Sequence, residues 1–372
     1  MIEYRRNPAE QLTPPERPMP DRFYDLMAQI NKTKKPRLME ISQSNIPPQE
    51  AARDKLKVKE KKSHHHIEET EYASFFETAL PEVNHYDWFG ENVAILDRGH
   101  GDAADYNDIK GTDIMLEMET TEEDQPIVLR VDVTKSNDLQ RVEQKTQTTL
   151  YDIEHGQFDR AYFQSYYQEG ELDKIDNAPR IIFHLTEDQL DELGSELYNA
   201  KLGKDTETRK TAITKLEESP LQINLIDQAK GQLESQALYA LALFLEAINN
   251  NYRRFSLNND EKAELVHFYE QVKRASDSPN DSFKINELIE EIFNNQKFQK
   301  FPRYRETLNI LKGIKPWLDH FQNLGQEKNG QLSENVRQEA ASNAALSQPH
   351  QLLTERPSQI RSALPEQFAL AA

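Results

Sequence analysis

Asp113 and Asp132 are the residues of this chain best placed to do chemistry. Asp113 stands in Gly-Thr-Asp113-Ile-Met-Leu-Glu117-Met-Glu119, and Asp132 in Val-Leu-Arg-Val-Asp132-Val-Thr134-Lys135. Both segments alternate, so each reads as a strand, with the polar run Thr120 to Gln125 as the hairpin loop between them. A half-buried carboxylate is costly unless it is paired or holds a cation. A divalent metal is the simplest remedy for two of them, since hard cations prefer carboxylate oxygens. The pleat sends Ile127, Leu129, Val131 and Val133 one way and Val128, Arg130, Asp132 and Thr134 the other, with Lys135 opposite Asp132. The plainer alternative is that Asp113 caps a turn after Gly111 while Asp132 pairs with Arg130 or Lys135.

The elements that must position these acids follow from periodicity. Ile67, Tyr72, Phe75, Phe76, Ala79 and Leu80 share one helical face, and Pro81 is expected to end that helix. Val93 to Leu96 reads as a short strand and Arg98 to Gly111 as a turn-rich stretch; His100 and the aspartates of 97–108 could meet a cation, but their spacing matches no EF-hand loop and they read as solvated. After the two alternating strands, Asn137 to His155 reads as helix, with Gly156 at its stop. Arg160–Tyr167 and Pro179–Leu185 read as strands, the second continuously apolar, with His184 as a core histidine. Thr186 then opens a helix through a capping box to Gln189, with Leu185 and Leu190 spaced for a hydrophobic staple. The expected order is helix, three strands, helix, two strands, helix: a mixed α/β sandwich.

Around this module the chain divides into a mostly disordered basic arm (1–66), the α/β domain (67–200), a helical region (201–325) and a disordered tail (326–372). The arm holds 8 of the 18 prolines and only one helix-spaced run, Arg22 to Ile30, which suits a docking helix. Its end, His64-His65-His66, reads as a polar tract rather than a metal site. Helices are expected over 210–216, 221–253, 258–275, 284–294 and 303–324, and the Leu238, Leu241, Leu245, Ile248 stripe is a core face.

Composition narrows the function classes. The 372 residues include no cysteine, which excludes disulfides, thiolate zinc sites and a cysteine nucleophile. Net charge is −19, unevenly spread: residues 1–65 carry 14 Lys/Arg against 9 Asp/Glu, a net of +5, leaving −24 elsewhere. Such a body is a poor bulk binder of polyphosphate, though not of a substrate met through a metal ion. There is no Walker loop, Rossmann glycine pattern, nucleophile elbow or His-Glu-x-x-His. The N-terminus lacks an apolar signal region and no stretch is long enough to span a bilayer, so a cytoplasmic location without membrane attachment is expected.

Residues 67–190 resemble the PD-(D/E)XK, or restriction-endonuclease-like, superfamily, in particular bacterial members with an aspartate-valine-threonine third strand. The resemblance covers about a third of the chain and implies an αβββαβ core. It also implies phosphodiester hydrolysis, with Asp113 and Asp132 as ligands of Mg²⁺ or Mn²⁺ that lower the pKa of a bound water. The family lysine stands two residues after the second acid, where this chain has Thr134. Lys145, on the following helix, is therefore preferred as the catalytic amine, with Lys135 as its competitor if the strand bulges. Glu77 is a further candidate ligand, against Glu71 and Glu91. Two functions are thus in play: a metal-dependent nuclease of DNA or RNA, and a catalytically degenerate scaffold that binds a protein partner.

Overall fold

In the computed structural model the described residues are 18–34, 37–62, 71–97, 99–120, 125–135, 139–167, 172–251, 254–277 and 282–331. Two helices come first, α1 (Asp21–Thr33) and α2 (Pro48–Lys62), then α3 (Glu71–Val83) and β1 (Val93–Asp97). A short α4 (Asp102–Ile109) precedes the hairpin of β2 (Ile114–Met118) and β3 (Ile127–Lys135). Next are α5 (Leu139–Glu154), β4 (Ala161–Phe163), β5 (Asp173–Ile175), β6 (Arg180–Leu185) and α6 (Glu187–Leu202). Five α-helices follow among the described residues: α7 (Thr206–Glu217), α8 (Pro220–Asn251), α9 (Asn259–Asp277), α10 (Ser282–Asn294) and α11 (Tyr304–Gln331). None is long and apolar enough to cross a membrane.

The main sheet runs β1-β2-β3-β6, antiparallel through the first three strands and parallel between β3 and β6. The parallel step needs a crossover, and α5 lies within it. Alternation gives the sheet two unlike faces. Ile114, Leu116, Leu129, Val131, Val133, Ile181, Phe183 and Leu185 join one large core with Phe75, Phe76, Ala79 and Leu80 of α3. Each such side chain contributes up to about 1.5–3 kcal/mol on burial. The other face carries buried Glu117, Arg130, Asp132, Thr134, Arg180 and His184. Its apolar end, Ala94, Leu96, Met115 and Val128, packs against Phe163 and Ala161 of the separate β4–β5 hairpin. So the face beside α3 builds the core, and the opposite face gathers the polar groups.

The free edge of β6 is closed by side chains rather than by a fifth strand. Gln232 of α8 accepts from Ile182 N–H (2.8 Å) and donates to Ile182 C=O (2.7 Å), Gln228 does the same at His184, and Gln236 donates to Arg180 C=O. The four-residue helical spacing of the glutamines meets the two-residue strand spacing. Unpaired edge groups would otherwise be buried or available for aggregation. Gln232→Leu strands both groups of Ile182, so a loss of about 2–4 kcal/mol is expected in chemical denaturation. A loss below the cost of one unmade hydrogen bond would refute this role.

Several expectations are corrected. The arm is not mostly disordered: among its described residues α1 and α2 are formed, and Phe23, Leu26 and Ile30 of α1 are fully buried. Phe23 stacks on Phe75 with ring centroids 5.0 Å apart and lies where a Cβ on Gly194 of α6 would collide with it. Composition misled at α2 because ion pairs hold it. Buried Asp54 and half-buried Glu50 meet Lys174 of β5, and Glu50 meets Arg160. Burial opposes the charge on Asp54, but the Lys174 ammonium outweighs it and keeps the carboxylate below its ordinary range. Pro81 does not end α3, which continues to Val83, because a proline in the final turn removes few intrahelical bonds. The stretch expected as turns contains α4, whose Ala103 and Tyr106 are buried against the arm and β4. The strand at Arg160–Tyr167 shrinks to Ala161–Phe163 and pairs with β5 instead of joining the main sheet.

The other boundaries hold more closely. The capping box at Thr186 is formed on both sides. The helical half does not separate from the α/β half: one apolar core runs from Met19 to Leu324. Helix α11 extends past 325 to Gln331, and the rest of the expected tail, like His64–His66, lies outside the described residues.

Candidate functional site

The β2–β3 ladder ends where Ile114 pairs with Val131, and Asp113 and Asp132 are the residues next beyond that pair. Cross-strand neighbours on one face have Cβ atoms about 4.5–5.5 Å apart, and like charges there repel. Asp113 N–H donates to Val131 C=O (2.9 Å), and Val133 N–H donates back to Asp113 Oδ2 (2.8 Å). Asp113 is thus fixed over the ladder at the mouth of the sheet, half-buried. Asp132 is 2% exposed and doubly paired: Lys145 Nζ contacts Oδ1, and Arg180 Nη2 donates to Oδ2 (3.1 Å). Lys145 Nζ also donates to Val133 C=O (3.1 Å).

Arg180 is locked in turn. It donates to the backbone carbonyls of Lys110 and Lys145, each at 3.3 Å. Its guanidinium lies where a Cβ on Gly111 would fall 2.8 Å from Cζ, and Gly111 has φ +65°. Only glycine satisfies both conditions. Arg130 is not the partner of Asp132. Its Nε donates to Ala178 C=O (3.0 Å), and Nη2 faces Asp152 at 3.7 Å. Burial, then the nearby charge of Arg180, brings its pKa down to about 10.

Electrostatics single out Asp113. Burial, and next the adjacent charge of Asp132, push its pKa well above the ordinary carboxylate value, while Lys145 and the Val133 N–H offset this only partly. Asp113 therefore holds a proton more readily than an isolated acid. A divalent cation would relieve the same repulsion. Among the described residues no three His, Asp or Glu side chains gather closely enough to make a complete cage. Two carboxylates nonetheless fit Mg²⁺, which is commonly held by one or two carboxylates, waters and substrate phosphate oxygens.

A cleft of about 450 Å³ opens at Asp113, lined also by Asn31, Lys34, Arg37, Glu77, Thr78, Asp97 and His100. Of the candidate helix glutamates, Glu77 reaches it. Glu71 instead accepts from Met19 N–H at the start of α3, and Glu91 does not line the cleft. Sequence reading therefore placed Asp113, Asp132, Lys145 and Glu77 around one locus. Lys135 closes β3, and its side chain lies outside the described residues. Two contributors were missed: Arg180, which opens β6, and the loop after α1, which supplies cations. An arginine leading an apolar run was the available signal for the first. Asp97, which closes β1 opposite Ile114, and His100 were read as solvated, and both line the cleft.

No family model, curated protein or solved structure matches the chain.

Proposed function

We propose that this chain is a metal-dependent nuclease of the restriction-endonuclease-like type. The observation that carries the reading is the juxtaposition of Asp113 and Asp132 at the end of one ladder, with Val133 N–H on the first acid and the Lys145 ammonium on the second. The order α3, β1, β2, β3, α5, β6, with α4 inserted after β1 and the β4–β5 hairpin before β6, and with β6 parallel to β3, supports it as an elaborated form of the αβββαβ arrangement the resemblance implies.

Asp113 and Asp132 would hold Mg²⁺ or Mn²⁺, with Glu77 lining the same cleft as Asp113. The bound ion supplies a Lewis acid for the phosphate and a water of lowered pKa. Arg180 and Val133 N–H fix the carboxylates, so their geometry does not depend on the substrate. Lys145, held by Asp132 and Val133 C=O, presents a positive charge where negative charge grows during attack. It takes the part of the lysine missing at Thr134, from the helix rather than the strand. The degenerate-scaffold reading retains one specific support, since both oxygens of Asp132 are already paired with cations.

Incubation of the full chain with DNA and RNA, single and double stranded, in Mg²⁺ or Mn²⁺ is the test. Cleavage is expected, with Lys145→Met slowing it by about 10²–10³-fold while Kd for substrate changes little. The rate should rise with pH through an inflection above the ordinary carboxylate range, because Asp113 must lose its proton to bind metal. Intact substrate under all these conditions would leave the scaffold reading.

A further inference from the structure

The arm does more than dock. Arg37 C=O accepts from His100 N–H (2.9 Å), Met39 N–H donates to His100 C=O (2.7 Å), and Ala103 N–H donates to Met39 C=O (3.0 Å). A Cβ on Gly99 would meet Arg37 O at 2.6 Å, and one on Gly101 would meet Met39 O at 2.5 Å. Residues 37–39 are thus laid against the 99–101 loop as a strap, and strap and α1 together wall the cleft over Asp113. The wall is basic where the floor is acidic. Lys34 reaches Asp97 only at 3.9 Å, and Arg37 spends one donor on Gln164 C=O (2.6 Å) of a guanidinium that has five.

From Gln164 the chain leads to an aromatic platform. Glu117, buried on the polar face of β2, accepts from the Ser165 hydroxyl and from Tyr166 N–H (2.6 Å). Tyr166 itself is 70% exposed and braced edge-on by Tyr167, with centroids 5.3 Å apart. Glu117 lies four residues along β2 from Asp113, about 13 Å at the rise of a strand. The cationic wall of the cleft is therefore joined through Gln164 to a segment that presents an exposed ring two residues further on.

Resting on the nuclease reading, we propose that the substrate is a single strand or an unpaired end, threaded beneath the strap. In this arrangement Lys34 and Arg37 hold backbone phosphates and Tyr166 stacks a base. A cleft of about 450 Å³ falls in the range of sites for single small ligands, the size of a nucleotide or two rather than a duplex. Cationic grooves with aromatic platforms are how single strands are held without sequence readout. The acidic body, at −19 overall, would repel a duplex laid broadly across it.

The test is fluorescence anisotropy with the full chain and short labelled oligonucleotides of one sequence, free or annealed, in Ca²⁺ so that binding is read without turnover. The single strand should bind at least tenfold more tightly than its duplex. Tyr166→Ala should weaken it about tenfold and Tyr166→Phe should not. Lys34→Ala and Arg37→Ala should each weaken it and flatten its salt dependence by about one counterion. Circular dichroism checks that these surface variants remain folded. Equal or tighter duplex binding, or variants that bind like wild type, overturn the inference. Cleavage of duplex in the same preparation would then leave the nuclease reading standing. Single-strand binding without any cleavage would do the reverse, and binding of neither form overturns the inference outright.

Discussion

Asp113→Asn is expected to stabilise the metal-free protein and to end cleavage. The two effects share one cause. Asparagine keeps an oxygen for the Val133 N–H (2.8 Å in the native chain) and offers an N–H to Asp132. It removes the charge that burial and Asp132 both oppose. The stability gain should be about 1–2 kcal/mol at neutral pH, as for other substitutions that relieve a site strained for function. The activity loss should be on the order of 10³-fold. The pH dependence gives an independent readout. A carboxyl whose folded pKa lies above its unfolded value favours folding below the unfolded value of about 3.9, and that contribution disappears as pH rises through the folded value. Metal-free wild type should therefore lose stability relative to Asp113→Asn from the carboxylate range upward, until Asp113 is fully ionised. Subtracting the two melting curves isolates this group from Asp54, whose depressed pKa acts in the opposite direction. Mg²⁺ should raise the wild-type Tm and leave the variant nearly unmoved. Parallel pH curves, or equal Mg²⁺ responses, would remove Asp113 from the metal centre.

Much of the site was legible because it depends on short-range rules. Alternation placed Asp113 and Asp132 on adjacent strands; the paired ladder stops one residue short, at Ile114, and hairpin register still leaves Asp113 little freedom. Helical periodicity put Lys145 on the face of α5 that turns to the sheet. What stayed hidden depends on partners distant in sequence. The Lys-rich, Pro-rich arm looked disordered because Glu50 and Asp54 find Arg160 and Lys174 only after folding. Helix α4 is short and weakly amphipathic, and buried Asn107 anchors it through hydrogen bonds to the Tyr162 backbone, more than fifty residues away. The glutamines of α8 read as ordinary polar residues until β6 is laid beside them. No periodicity reveals that a side chain will serve as a strand.

Arg180 illustrates the same limit and supplies the second large effect. It reads as a charged residue opening an apolar strand, yet it is 3% exposed and grips the inner oxygen of Asp132. Arg180→Met should cost about 3–5 kcal/mol, because removing one partner of a buried ion pair leaves the other charge uncompensated. Lys145 limits the damage by remaining on Oδ1, so the protein should still fold, with a lower midpoint in denaturant. The cause can be separated from lost packing. If the orphaned charge dominates, the double variant Arg180→Met with Asp132→Leu should recover more than half of the loss, as apolar replacements of buried pairs do. If shape dominates, the guanidinium that fills the space beside Gly111 is the important part and the double variant should be worse than either single one. Additive losses would therefore show that Arg180 supports the site by packing rather than by charge. Recovery of stability without recovery of cleavage would instead separate the two duties of Asp132, neutralising an internal arginine and standing beside Asp113 at the end of the ladder.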